Sequence, residues 1–331
     1  MLVLAEADVE RLIEVKDAIA AAGDAYRLHA TGAVPPPVRA DLRSEVPKVG
    51  CLVLAGLLGP DLLTVKSNVH AHPNGPEGPR LWGSLLTLWD LTTGKPRALI
   101  SARAFNNHRT AAGFAAAARV LADPNATTLA LFGAGKSAPM TALYLKAARP
   151  SIRRLVLVGR SPRRVAALAA WARACPHLSD VLVETGSSPG DAVREAEIVA
   201  TVTTSDEAVF PGASVRAGAL VILGGANRPA AREADDDLMG RARVIVDARA
   251  GALDKAGDLV RSLASGALDP VRIVAEIGAC LDGSVPEAAG TDVTVFKSMG
   301  LPVQDAVLAA HLVRKAERAG LGRPVDLEGA R

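Results

Sequence analysis

The run Thr127-Thr128-Leu129-Ala130-Leu131-Phe132-Gly133-Ala134-Gly135-Lys136-Ser137-Ala138 constrains this chain more than any other. An apolar strand ends at Phe132, three small residues turn the chain, and Met140, Leu143 and Leu145 continue at helical spacing. Strand, glycine turn and helix with G-x-G-x-x-A spacing is the opening of a dinucleotide-binding βαβ unit. Gly133 permits the tight turn, Gly135 lets the backbone approach a pyrophosphate, and Ala138 keeps the helix close to the sheet. The helix N-terminus, with the Ser137 backbone N–H and the Lys136 charge, completes an anion site. The letters ALFGAGKS also match a relaxed P-loop pattern, with Val244-Ile245-Val246-Asp247 as a companion strand. Leu131 and Phe132 continue the strand, however, and leave a turn too short to wrap a triphosphate.

The surrounding pattern supports the dinucleotide reading. Strand windows fall at 127–132, 154–159, 180–184, 196–202, 219–223 and 243–247, with helices predicted at 137–148, 161–174 and 234–241. That alternation predicts a parallel sheet with helices on its faces. Beyond it, 251–265 and 270–277 are predicted helical, 293–296 a strand and 302–319 a long amphipathic helix. Upstream, a short strand and a helix over 5–30 precede the breaker Gly32 to Pro37. From Val38 to Ile100 short apolar runs alternate with turns, and Thr92-Thr93-Gly94-Lys95-Pro96 closes a hairpin. A helix is predicted from Arg109 to Leu121. The expected architecture is α/β: a Rossmann-type domain over 123–299 and a strand-rich α+β substrate and dimerisation domain formed by 1–122 with 300–331.

Composition narrows the function classes. A formal charge of +3 over 331 residues, with no basic block, argues against nucleic acid as a partner. No apolar stretch approaches the length of a membrane span, and the first dozen residues carry charges too early for a secretory signal. Cys51, Cys175 and Cys280 have no metal or redox spacing, so buried thiols in a cytoplasmic, reducing setting are expected. His70 and His72 near Asn74 have no third ligand, and no metal site is predicted.

The second strand of the βαβ unit speaks to the cofactor. An NAD site places a carboxylate there for the ribose hydroxyls, but Leu155-Val156-Leu157-Val158 is followed by Gly159-Arg160-Ser161-Pro162-Arg163-Arg164. Arg160, Ser161 and Arg164 suit a 2′-phosphate, and cations at a helix start are unfavourable unless an anion sits there. NADP(H) is therefore favoured, with NAD(H) possible. Thr110, read as lying in the first turn of its helix, is a further candidate for phosphate contact, while His108 is read as a locally satisfied helix-start residue.

Several further runs stand in a particular order. They are Pro37-Val38-Arg39, Val65-Lys66, Asp90-Leu91-Thr92-Thr93-Gly94-Lys95-Pro96, His108-Arg109-Thr110-Ala111-Ala112, FGAGKSA, Ala256-Gly257-Asp258-Leu259, and Val295-Phe296-Lys297-Ser298-Met299-Gly300 with Gln304-Asp305. Over nearly the whole chain this resembles the ornithine cyclodeaminase / mu-crystallin family. The resemblance implies Arg39 and Arg109 as carboxylate-binding forks, a role suited to planar guanidinium groups. It implies Lys66 against the substrate carboxylate and amino nitrogen, and in an apolar stretch its pKa would fall into a usable range. It also implies Met299 beside the nicotinamide and a homodimer built from the strand-rich halves.

Two departures shape the substrate expectation. Asn227, in Gly224-Gly225-Ala226-Asn227-Arg228-Pro229, stands where cyclodeaminases of the family carry an aspartate, and an amide cannot take a proton from an amine. The family's ketimine reductases also lack that aspartate. The stretch Val49 to Leu57 contains no carboxylate for a distal ammonium. The resemblance thus implies an NAD(P)H-dependent reductase of a cyclic ketimine or 2-imino acid, a small-molecule substrate giving an α-amino acid. An amino-acid cyclodeaminase and a non-catalytic ligand-binding protein are the alternatives.

Overall fold

Apolar alternation in the first third of the chain and strand–helix alternation in the rest produce two separate sheets. The structure is a computed structural model, and it describes residues 1–36, 38–44, 49–71, 81–186, 188–285 and 292–327. The chain runs β1 (Leu2–Leu4), α1 (Glu6–Leu12), α2 (Val15–Ala30), β2 (Val38–Ser44), β3 (Val49–Leu58), β4 (Leu62–Ala71), β5 (Leu81–Asp90), β6 (Lys95–Ser101) and α3 (Ala102–Leu121). It continues β7 (Thr128–Phe132), α4 (Ala138–Ala148), β8 (Arg154–Val158), α5 (Pro162–Ala174), β9 (Leu182–Thr185), α6 (Pro189–Glu195), β10 (Ile198–Thr201) and β11 (Leu220–Leu223). Then follow α7 (Asp236–Arg241), β12 (Arg243–Val246), α8 (Arg249–Lys255), α9 (Gly257–Ala264), β13 (Ile273–Glu276), α10 (Ile277–Leu281), β14 (Thr294–Lys297), α11 (Pro302–Ala319) and β15 (Arg323–Pro324). Two units result, Met1–Arg109 with Leu301–Arg331, and Thr110–Gly300.

In the first unit the strands lie in the order β15-β1-β6-β5-β4-β3-β2, and β2 to β6 form an antiparallel meander. One face of that meander is covered. Leu54, Leu86, Leu88 and Ile100 are buried on it, together with Leu308, Leu312 and Val313 of α11. The helix reaches the sheet because β3 offers no side chain at Gly56, where an added Cβ would lie 2.6 Å from the Pro302 carbonyl oxygen. Helix α2 packs on α11 in turn.

The second unit is an eight-stranded parallel sheet in the order β13-β12-β14-β11-β10-β7-β8-β9. Fully buried strands such as β7, β10 and β11 read as continuous apolar runs, as strands covered on both faces must. β7 is flanked by β8 on one side and β10 on the other, so the chain order reverses beside it. In open α/β sheets that reversal creates the ligand crevice beyond the strands' carboxyl ends.

Four expectations need correction. The helix expected over 5–30 is two helices, because Ile13 and Glu14 adopt extended backbone between α1 and α2. The helix expected from Arg109 begins at Ala102, where buried Ala102, Ala104 and Phe105 extend its apolar face. The helix expected over 251–265 breaks at Ala256. Gly257 there passes so close to another segment that a Cβ would sit 1.8 Å from the Ala231 carbonyl oxygen. The stretch 270–277 is a short 3-10 turn followed by β13, since Ile273 and Ala275 alternate inward and pair with β12.

Candidate active site

The meander's register assembles the first group of candidate residues. Arg39 pairs with Leu54, Leu54 with Lys66, and Lys66 with Leu86, so all four stand in one row on one face. Lys66 is 1% exposed and its Nζ lies 2.7 Å from Asp305 Oδ2 of α11. Arg109 of α3 donates through Nε to Asp305 Oδ1 at 2.9 Å. Asp305, itself 1% exposed, therefore bridges both cations. The Lys66 ammonium has no well-aligned hydrogen-bond acceptor among the described residues. Among the described residues only the Nε edge of Arg109 is engaged, which leaves its paired Nη groups for a carboxylate.

The electrostatics follow from this burial. Desolvation lowers the Lys66 pKa to about 8, the Arg109 guanidinium pushes in the same direction, and Asp305 opposes both. Arg39 adds a smaller downward push. An amine that titrates near 8 can donate or accept a proton at neutral pH. Sequence reasoning named the three cations but gave Asp305 no role. The signal was available, because Asp305 is a carboxylate on the apolar face of α11, flanked by buried Val303, Ala306 and Leu308.

The second unit holds the remaining candidates. Gly133 has φ 108°, a conformation closed to side chains, and a Cβ there would lie 2.7 Å from the Val202 carbonyl oxygen. Its N–H donates to Val158 O at 2.8 Å, which fixes the turn against β8. At Gly135 a Cβ would meet no protein atom within 4 Å, so this glycine is not demanded by packing inside the protein. Ala138 is fully buried at the start of α4, and no side chain caps that helix. Lys136 is exposed beside the same turn. This cradle fits a dinucleotide pyrophosphate, whereas β7 running on through Phe132 rules out a P-loop.

After β8, Ser161 Oγ accepts from Arg164 N as the cap of α5. Arg160 and Arg164 are exposed and form no ion pair among the described residues. Thr110 and His108 lie inside α3 rather than at its start, because the helix begins at Ala102. Thr110 is therefore not a capping residue of α3. Burial pushes the His108 pKa down to about 4, leaving its imidazole neutral. Asn227 is exposed on the loop after β11. His72 and Asn74 lie outside the described residues, among which no group of three metal-ligating side chains occurs.

Four buried charges to which the sequence reading gave no role hold the loops at the carboxyl ends of the strands. Glu233 accepts from Thr203 N and Gly225 N at 2.7 Å and from Ala226 N at 3.1 Å, tying the loops after β10 and β11 together. Asp258 accepts from Glu233 N at 2.6 Å and pairs with Lys297 at 2.9 Å, both side chains fully buried. Asp247 accepts from Met299 N and Gly300 N, each at 2.6 Å, and fixes the turn that carries Met299. The Asp258 and Lys297 positions within AGDL and VFKSMG are thus structural in this chain.

The chain is similar to known proteins over nearly its whole length. The sequence profile of the ornithine cyclodeaminase/mu-crystallin family matches residues 1–320. A delta(1)-pyrroline-2-carboxylate reductase of Bacillus thuringiensis subsp. konkukian is 28% identical over 332 aligned positions, covering 98% of this chain and 100% of its own. The ketimine reductase mu-crystallin of Mus musculus is 34% identical over 233 positions, covering 70% of this chain and 69% of its own. The structure of Thermococcus litoralis delta(1)-pyrroline-2-carboxylate reductase in complex with NADH and L-proline superposes with a TM-score of 0.91. It is 26% identical and covers 98% of this chain and 100% of that one.

Proposed function

Because the chain belongs to the ornithine cyclodeaminase/mu-crystallin family, we propose that it is an NAD(P)H-dependent reductase converting a cyclic ketimine or 2-imino acid into an α-amino acid. The Lys66–Asp305–Arg109 cluster, whose buried Lys66 stands in one strand row with Arg39, carries the reading. A bound nicotinamide supplies a hydride. The chain's residues do the rest. Arg109, through its Nη edge, and Arg39 hold the substrate carboxylate, a planar anion matched to guanidinium forks. The Lys66 ammonium holds the proton that the imine nitrogen takes up, and its lowered pKa makes that transfer close to balanced at neutral pH. Asp305 keeps Lys66 charged and aimed. Asn227 can hydrogen-bond nitrogen but cannot deprotonate it, which favours imine reduction over amine deprotonation.

The Gly133 turn, the start of α4 with Lys136 and Ser137, and the segment near Met299 would hold the dinucleotide. Exposed Arg160 and Arg164, with Ser161 between them, favour NADPH over NADH. A homodimer is supported by the meander's other face, where Val38, Leu42, Val69, Leu81 and Leu85 are 47–64% exposed. Those residues share one side of the sheet by register, and an apolar sheet face this broad needs a cover. The described residues include no helix able to cross a membrane, and three free thiols fit a reducing, cytoplasmic setting.

The test is a substrate panel. The pure protein is mixed with NADPH or NADH and a set of cyclic ketimines, and loss of nicotinamide absorbance is followed. Ornithine and lysine are then offered with catalytic NAD+ and ammonia is measured. Reduced-cofactor consumption supports the reductase, ammonia without net redox change replaces it with a cyclodeaminase, and ligand binding with neither makes the protein a non-catalytic binder.

A further inference from the structure

The sheet face that carries Lys66 continues into a polar patch that the proton chemistry does not use. Two residues along each strand from the Arg39–Leu54–Lys66–Leu86 row stand Asp41, Leu52, Asn68 and Ser84, again paired in register. Such neighbours share a face and lie about 7 Å apart, within the span of a small imino acid held by its carboxylate at Arg39 and Arg109 with its nitrogen at Lys66. Above this second row α3 places Asn106, one helical turn before Arg109. Ser84 Oγ donates to Asn68 Oδ1 at 2.6 Å, and Asn106 Nδ2 donates to Asn68 Oδ1 at 3.1 Å and to Ser84 Oγ at 3.0 Å.

These bonds leave a matched pair of groups over. Asn68 keeps its Nδ2 donors and Asn106 its Oδ1 acceptor, for which no partner is described. Ser84 is buried beneath them, while both amides are half-buried and so reach a surface. A donor and an acceptor together complement a hydroxyl, which offers a lone pair and a proton. The row also contains a carboxylate, Asp41, but Arg43 binds it through Nε at 3.0 Å and Nη2 at 2.6 Å. A substrate ammonium would find that charge already compensated.

We propose that Asn68, Ser84 and Asn106 form a side-chain subsite that selects an imino acid bearing a hydroxyl over unsubstituted or basic ones. The proposal rests on the imine-reductase reading and adds the substrate class. A site built to bond a hydroxyl discriminates against the analogue that lacks it, because its own polar groups are then left unpaired.

The test compares kcat/KM for pyrroline-2-carboxylate and its ring-hydroxylated analogue in the wild type, in Asn68→Leu and in Ser84→Ala. The expected preference is about tenfold for the hydroxylated substrate, collapsing toward parity in Asn68→Leu. Equal treatment by the wild type overturns the subsite. So does a proportional loss on both substrates in the variants, which would make the cluster a staple between α3 and the sheet. If Asn68→Leu does not fold, the same ratio is read in Ser84→Ala. If no imine is reduced at all, the reductase reading fails separately. The subsite is then judged by calorimetric titration with proline and a hydroxylated proline, where equal Kd values overturn it.

Discussion

Replacing Asp305 with asparagine keeps the side chain's shape and removes the charge between the buried Lys66 ammonium and the half-buried Arg109 guanidinium. Asp305 lies 2.7 Å from Lys66 Nζ and 2.9 Å from Arg109 Nε. At an effective dielectric of about 20, the contact with Lys66 corresponds to a gross attraction of about 6 kcal/mol. Measured losses on breaking buried pairs are smaller, about 3–5 kcal/mol. At about 1.4 kcal/mol per pH unit, the lower figure would move the Lys66 titration down by about two. The sign is fixed by the chemistry. Reduction needs Lys66 as the ammonium, so kcat/KM should be flat below the Lys66 pKa and fall as pH rises through about 8. In Asp305→Asn that descending limb should sit at about pH 6, leaving the enzyme nearly inactive at pH 7.5 yet partly restored at pH 5.5. Initial-rate pH profiles at fixed reduced cofactor measure it, with circular dichroism to show that the variant is folded. A limb that stays near pH 8 would refute the argument, because the titrating group would then be insensitive to the charge that touches Lys66.

Other consequences are equally direct. Lys66→Met should abolish reduction by at least about 100-fold while leaving dinucleotide binding, read by nicotinamide fluorescence, intact. Gly133→Ala should cripple cofactor binding without touching the Lys66 cluster, since φ 108° and the Val202 carbonyl both oppose a Cβ; fluorescence titration checks it. Arg160→Glu should lower kcat/KM for NADPH more than for NADH, and equal losses would remove the 2′-phosphate assignment. Lys297→Met should leave Asp258 buried and unpaired and cost about 3–5 kcal/mol in urea unfolding; a loss under about 1 kcal/mol would show that the pair is not stabilising.

The amino-acid sequence by itself determined the alternating second unit, the meander, the hairpin at Thr92 to Pro96 and the long helix α11. These rest on short-range facts, namely side-chain period, turn residues and the room a glycine gives the backbone. It also singled out Arg39, Lys66 and Arg109, through a resemblance spread over distant segments. What tertiary structure alone decided is which charges meet. Strand register set Arg39 and Lys66 in one row, and the docking of α11 at Gly56 brought Asp305 between Lys66 and Arg109 across more than 190 residues of chain. The structural roles of Asp247, Asp258, Glu233 and Lys297 emerged only when folding buried them. A carboxylate's role depends on the dielectric and the partners around it, and neither is written in its neighbours along the chain.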